Sequence, residues 1–468
     1  MSSDNKGQQR REAMGKDPIW RLMLKFSAPA VISMTVASSY QLVDAIFVGR
    51  LGKEALAAMS VTYPLALSFT AIASGTGVGI TSLISRSLGA GDSKGADKVV
   101  GTAISLCFIL AGILALVCLP NLDWILRMLG ADETVLPLAR SYSLIMVYSI
   151  LVAYFSMILS NIIRADGNPV FSSSVAISAS LINIALDPVF IFGFGPVPAL
   201  GIAGAAIATV IAQGISVSVY LVYIVRGRTA YHYKPEYFIP SLSIIGGIYR
   251  VGVASILRSG AQFITMGIVN RTAASFGVTS LAIMGVLVRI GRFALMPCLG
   301  MGQGMLPLIG YNFGAEKKER ISELIFKTGI ISTSWTALCW LAIMLFPTQV
   351  MSAFNVDPEF LDEGSSALRL YGMVFIVLGI QMIPGFFFQG IGRGLPSSVL
   401  TLVRSIVILV PLILVLPRFM GVTGIWATYP IVDIFSLVIS VSWMVQEFRK
   451  QKISFKWWDS RLDATESG

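Results

Sequence analysis

Apolar runs of about twenty residues or more recur along the whole chain, each long enough to cross a hydrocarbon core of roughly 30 Å as a helix. Twelve can be set out, near 26–49, 57–85, 99–120, 137–163, 169–194 and 200–225, then near 246–275, 280–310, 322–346, 365–391, 396–417 and 421–446. A water-soluble core has no room for them. Of 468 residues, 55% are apolar and 13% charged, whereas soluble domains carry about a quarter of their residues as charges. The sequence therefore predicts an all-α membrane protein of about twelve transmembrane helices.

A net charge of +10 raises the question of nucleic acid, but the positions of the charges answer it. With the N-terminus placed in the cytoplasm, 23 of the 35 basic residues fall on inner segments and six at outer ends. That is the positive-inside pattern of a multi-pass protein. It predicts a plasma (inner) membrane location with both termini cytoplasmic, and no nucleic-acid partner. The polar stretch up to Lys16 has no apolar h-region, so no cleavable signal peptide is expected. The four cysteines, Cys107, Cys118, Cys298 and Cys339, sit in apolar runs without metal-ligand spacing and read as small hydrophobes.

The chain repeats itself. Gly75, Gly77 and Gly79 recur 225 residues later as Gly300, Gly302 and Gly304, and Gly52, Leu56, Ala57 and Val61 recur as Gly277, Leu281, Ala282 and Val286. With small gaps the register continues from "DGNP" (166–169) to "GRGLP" (392–396), and from "GIAGAAIAT" (201–209) to "GVTGIWATY" (421–429). An even number of helices per half makes the repeats parallel. The expected organisation is a cytoplasmic tail (1–25), a six-helix bundle (26–226), a cytoplasmic linker (227–245), a second six-helix bundle (246–446) and a cytoplasmic tail (447–468). The two pseudo-symmetric bundles are expected to face a central cleft that opens alternately to each side.

By this segmentation 22 of the 25 carboxylates lie in tails, loops or helix ends, leaving Asp44, Asp187 and Asp433 inside apolar runs. A charge at membrane depth costs on the order of 3 kcal/mol on insertion scales, so each is expected to face a cavity or a partner. Asp44 lies 18 residues beyond Phe26 and Asp187 18 beyond Pro169, which matches their depth at about 27 Å along each helix. Asn183, four positions before Asp187, shares its face. Pro188 frees the carbonyl of Ile184, and Thr209 enters from the next helix. Such an oxygen cluster suits a Na⁺ ion at Asp44, Asn183, Asp187 and Thr209, and equally a proton on one of the carboxyls. The plain alternative is that the two aspartates satisfy buried amides or an arginine. For Asp433 the leading reading is an ion pair with Arg258, Arg289, Arg292 or Arg404, with a substrate-facing charge as the other. The glycine triplets read as helix packing, because no strand or P-loop lysine accompanies them. His232, the one histidine, reads as a solvated linker residue.

"QLVDAIFVGRLGKEALAA", "RADGNP", "NIALDPVFIFGFG" and "GIAGAAIAT" together resemble the multidrug and toxic compound extrusion (MATE) family, prokaryotic branch, over about residues 20–446. The resemblance implies two six-helix bundles and antiport of H⁺ or Na⁺ against organic cations or drugs by alternating access. It also implies that Asp44, Asn183, Asp187, Thr209 and Asn161 match the family's N-lobe cation-site positions. Gln41, Tyr63 and Met157 are candidates for the substrate wall, with Asp433 as a further substrate contact. Besides the coupling ion no cofactor is expected; the partners are small organic molecules and the lipid bilayer, and the chain is expected to work as a monomer. The rival readings are a flippase for lipid-linked or oligosaccharide substrates, a membrane-embedded enzyme and a passive channel. A flippase calls for a more cationic cleft than acidic Asp44 and Asp187 suggest, and an enzyme for clustered histidines, metal ligands or a nucleophile with its base.

Overall fold

Backbone amides in hydrocarbon must be satisfied within the segment that carries them, which leaves helices as the form available to these apolar runs. The structure, a computed structural model, describes residues 3–354 and 357–453. Among the described residues it consists of helices, turns and one isolated bridge between Phe194 and Val197. Lys456 and Arg461, two of the 23 basic residues placed on inner segments, lie outside the described residues.

In chain order the helices are α1 (Ser3–Lys16), α2 (Ile19–Gly49), α3 (Lys53–Gly89), α4 (Ser93–Met128), α5 (Leu136–Tyr148), α6 (Ile150–Ala165), α7 (Pro169–Phe192), α8 (Ile202–Val225), α9 (Leu242–Ala274) and α10 (Val278–Gly314). Then come α11 (Lys318–Leu345), α12 (Pro347–Ser352), α13 (Pro358–Gly372), α14 (Leu378–Gln381), α15 (Ile383–Gly390), α16 (Gly394–Leu402), α17 (Val410–Met420) and α18 (Thr423–Gln451). Among the described residues ten stretches are long and apolar enough to cross a membrane, and two bent pairs raise the number to twelve if each pair is one span. The first pair, α5 and α6, bends by 50° at Ser149, whose hydroxyl donates back to the Met146 carbonyl at 3.0 Å. The second, Pro358–Gly372 with Phe375–Gly390, bends by 40° at Met373 and Val374, where α13 gives way to a single 3-10 turn, Phe375–Val377. Between α16 and α17 the chain makes a π turn, Val403–Leu409. Pro411 follows it, and without an N–H it cannot bond the Val407 carbonyl.

The duplication is visible in the backbone. α3 and α10 are both 37 residues long, their ends are related by the same 225-residue offset, and each follows a glycine of positive φ, Gly52 at 122° and Gly277 at 116°. That region of φ is open to glycine at little cost.

The chain forms two compact units, one made of the residues up to Lys16 together with Ile32–Gly252, the other of Asp17–Val31 together with the residues from Val253. Each unit thus includes the first part of the opposite half's first long helix. The glycine triplets explain why. A Cβ on Gly79 would stand 2.1 Å from the Ile248 carbonyl oxygen, and one on Gly252 2.5 Å from that of Gly75, so the start of α9 lies backbone to backbone on α3 in the first unit. In the second, a Cβ on Gly300 would meet Val31 Cα at 2.7 Å and one on Gly304 the Phe26 backbone at 2.8 Å. The start of α2 rests on α10 in the same way.

In the first unit α1 is anchored by charge. Arg11 donates from Nε to Asp166 Oδ1 at 2.8 Å, and its guanidinium carbon lies 4.6 Å from the Tyr231 ring centroid. Arg10 donates to the Tyr223 hydroxyl at 2.7 Å. Asp166, within the "RADGNP" motif, is fully buried, so this pair fixes the tail to the loop between α6 and α7.

Candidate functional site

The site is built from the ends of α2 and α7. Asp44 stands five residues before the end of α2 at Gly49, and Asp187 five before the end of α7 at Phe192, about 7.5 Å from each terminus. The match is at the helix ends and not at the starts, because α2 begins at Ile19 and Asp44 lies 25 residues beyond it, against 18 for Asp187 in α7; both side chains are buried. The two carboxylates lie within electrostatic reach of each other. Asn183, one turn before Asp187, donates from Nδ2 to Asp187 Oδ1 at 3.4 Å and to Thr209 Oγ1 at 3.2 Å. Thr209 in turn donates to the Ala205 carbonyl of its own helix at 3.1 Å.

Among the described residues, Asp44 Oδ1, Asn183 Oδ1 and Asp187 Oδ2 are buried without a hydrogen-bond partner. Orphaned buried oxygens are few in a folded protein, and each calls for an explanation. Here all three are acceptors, and all three belong to the predicted oxygen set. The donors are carboxylate, amide and hydroxyl, the kind that suits a hard cation or a proton. Among the described residues no group of three or more His, Cys, Asp or Glu is placed to hold a metal.

Beside these groups the first unit has a half-open cavity of about 390 Å³, whose wall includes Tyr40, Gln41, Tyr142, Met157, Asn183 and Thr209. Asn183 and Thr209 thus join the cavity to the buried Asp187. Tyr40 and Tyr142 stand within electrostatic reach of both aspartates, and neither was singled out from the sequence. Tyr40 had a signal, one helical turn before Asp44; Tyr142 belongs to another helix and had none.

Other expected residues fall elsewhere. Asn161 donates to the Met157 carbonyl at 2.8 Å and accepts from Thr81 at 3.2 Å, packed where Gly77 has no side chain; its hydrogen bonds go to α3 and to its own helix, not to the aspartates. Gln41 and Met157 line the cavity, while Tyr63 is 49% exposed and is not part of that wall. Asp433 accepts at Oδ1 from Arg404 Nη2 at 2.7 Å and Nε at 3.2 Å, which is the ion-pair reading.

A profile of the MatE family matches residues 29–189 and 251–415, most of both halves. The chain belongs to the MatE family. Among curated relatives, this MatE protein is 27% identical over 417 residues to the multidrug export protein MepA of Staphylococcus aureus, covering 88% of this chain and 90% of that one. It is 27% identical over 427 residues to a FAD transporter of Shewanella oneidensis, covering 91% and 94%. Among solved structures, an outward-facing multidrug resistance MATE transporter of the MOP superfamily superposes with a TM-score of 0.86 at 27% identity, covering 94% of this chain and 98% of that one. The MatE protein is accordingly a multi-pass membrane transporter of the multidrug export family, and not an enzyme.

Proposed function

We propose that this MatE protein is a secondary antiporter that exports small organic compounds, cationic drugs among them, against H⁺ or Na⁺ by alternating access. Asp44 and Asp187 hold the coupling ion, Asn183 and Thr209 complete its oxygen shell, and Gln41 and Met157 belong to the substrate wall. The observation that carries this reading is the group of three partnerless buried oxygens at one depth, beside a cavity wide enough for a drug-sized molecule. An ion arriving there satisfies acceptors that the fold leaves open; on its departure two neighbouring carboxylates repel, which favours a change of shape. Placement in the inner membrane, cytoplasmic termini and action as a monomer belong to the same proposal, supported by the basic inner segments. The two relatives are named for different cargo at equal identity, drugs in one and FAD in the other, so cargo chemistry is read from this chain's own residues.

The test is displacement. Adding ethidium to the purified chain in weakly buffered detergent solution releases protons, or releases ²²Na⁺ from protein loaded with it. Ethidium binding with release of neither ion overturns antiport.

A further inference from the structure

The seat of α1 in the first unit is polar and comes from parts of the chain far from it in sequence. Besides Arg11 on Asp166 and Tyr231, Arg10 donates to the Tyr223 hydroxyl at 2.7 Å and to the Arg228 carbonyl at 2.6 Å. A Cβ on Gly7 would stand 2.7 Å from that of Ala230. Little in α1 makes it a helix by itself. Its 14 residues are near the lower limit for an isolated helix in water, and Gly7 and Gly15 weaken it further. Ala13 and Met14 are its apolar side chains, too few for a stripe that would hold it by burial. Docking orders this helix, and water can replace the bonds of its seat when it leaves.

The next residue belongs to the other unit. The first unit takes in the chain up to Lys16, the second begins at Asp17. Arg320 of α11 donates to the Asp17 carbonyl, and Lys327 of α11 sets its ammonium 5.4 Å from the Trp20 ring centroid. The start of α2 is thus bound within the second unit. From Arg11 to Asp17 is six residues, about 9 Å as helix, so a docked α1 gives the start of α2 little freedom from the loop that holds Arg11.

The repeat shows that such a tie is not needed to close that loop. In the second half the matching "GRGLP" carries Arg393, which donates to Glu447 Oε2 at 2.8 Å near the end of α18. There the partner is part of the unit's own bundle. In the first half the partner of Asp166 sits on a separate helix at the chain's start.

We infer that α1 is a releasable latch: docked through Arg10 and Arg11, it holds the start of α2 to the first unit, and it leaves its seat before that end of the protein opens. The latch rests on the alternating-access reading but not on ion coupling at Asp44 and Asp187.

Tying the latch down tests it. Gly7→Cys with Ala230→Cys puts two thiols inside the first unit, with Cβ atoms that need a shift of about 1 Å to reach disulfide distance. The purified full chain is placed in vesicles, and radiolabelled ethidium is exchanged for unlabelled with no gradient imposed, which requires opening to both sides but no net ion flow. Oxidation, with the disulfide verified by peptide mass, is expected to slow exchange at least about tenfold, and dithiothreitol to restore it. Ethidium binding in detergent stays unchanged, which shows that the locked protein is folded. Arg11→Met with Asp166→Asn frees α1 without stranding a buried charge; exchange then runs at the wild-type rate or faster, and the α1 amides lose protection from hydrogen exchange. Locked protein that exchanges like the reduced form overturns the latch and leaves antiport standing, as does a folded Arg11→Met, Asp166→Asn variant that no longer exchanges. A wild type that exchanges no ethidium sinks alternating access and the latch together.

Discussion

Asn183 donates to Asp187 across one helical turn at 3.4 Å, yet Asp187 Oδ2 and Asn183 Oδ1 both remain without a hydrogen-bond partner. The amide therefore orients the carboxylate without exhausting it. On the proposed coupling role, Asn183→Ala removes one oxygen of the ion's shell and the group that aims another. The half-saturating concentration of the coupling ion is expected to rise about tenfold, the equivalent of one lost hydrogen bond to a charged group. Efflux measured as a function of Na⁺ concentration and of pH checks this; an unchanged ion dependence on both axes contradicts it.

Thr209 shares that amide at 3.2 Å but already bonds the Ala205 carbonyl. Thr209→Ser keeps the hydroxyl and should leave ion dependence close to wild type, while Thr209→Val, which keeps the shape and loses the oxygen, should shift it in the direction of Asn183→Ala. Equal behaviour of the two variants would remove Thr209 from the site.

The close approaches at the glycine triplets predict opposite signs for one kind of substitution. Alanine in place of a helical glycine ordinarily adds up to about 1 kcal/mol of stability. At Gly112, where a Cβ meets nothing within 4 Å, Gly112→Ala should leave the melting temperature equal or higher. At Gly79 the new Cβ would stand 2.1 Å from a backbone oxygen, so Gly79→Ala should lower it by several degrees. Thermal unfolding in detergent separates the two.

The anchor of α1 makes a third kind of prediction. Asp166 is fully buried against Arg11, and breaking a buried pair leaves an uncompensated charge at a cost of about 3 kcal/mol or more. Arg11→Met and Asp166→Asn should each lower thermal stability, and the double variant should lose clearly less than the two added together. Additive losses would mean that the two side chains do not act as a pair.

Much of this architecture was legible in the sequence because the bilayer imposes a simple rule of length and apolarity. The duplication was legible through glycine spacing, whereas counting from Phe26 misplaced the start of α2, which begins at Ile19; Asp44 and Asp187 agree in their distance from the helix ends instead. What escaped depends on contacts distant in sequence or on weak local signals. The break at Ser149 has neither Pro nor Gly to announce it, only a hydroxyl that returns to Met146. The exchange of first segments between units follows from the meeting of Gly79 with Ile248 and of Gly304 with Phe26, which nothing local specifies. Arg11 read as one basic tail residue among several, since its partner Asp166 lies 155 positions away. Asn161 was expected beside the aspartates, but the bare surface at Gly77 gives its amide another place to pack.

The measurement closest to the central claim is ethidium efflux in everted vesicles under an imposed ΔpH or Na⁺ gradient, comparing wild type with Asp44→Asn and Asp187→Asn at equal expression. Asparagine keeps the shape and removes the charge that holds the ion, so gradient-driven efflux should fall at least about tenfold in each variant while ethidium still binds the purified protein. Efflux at the wild-type rate in both variants, under either gradient, would contradict the assignment of coupling to this pair.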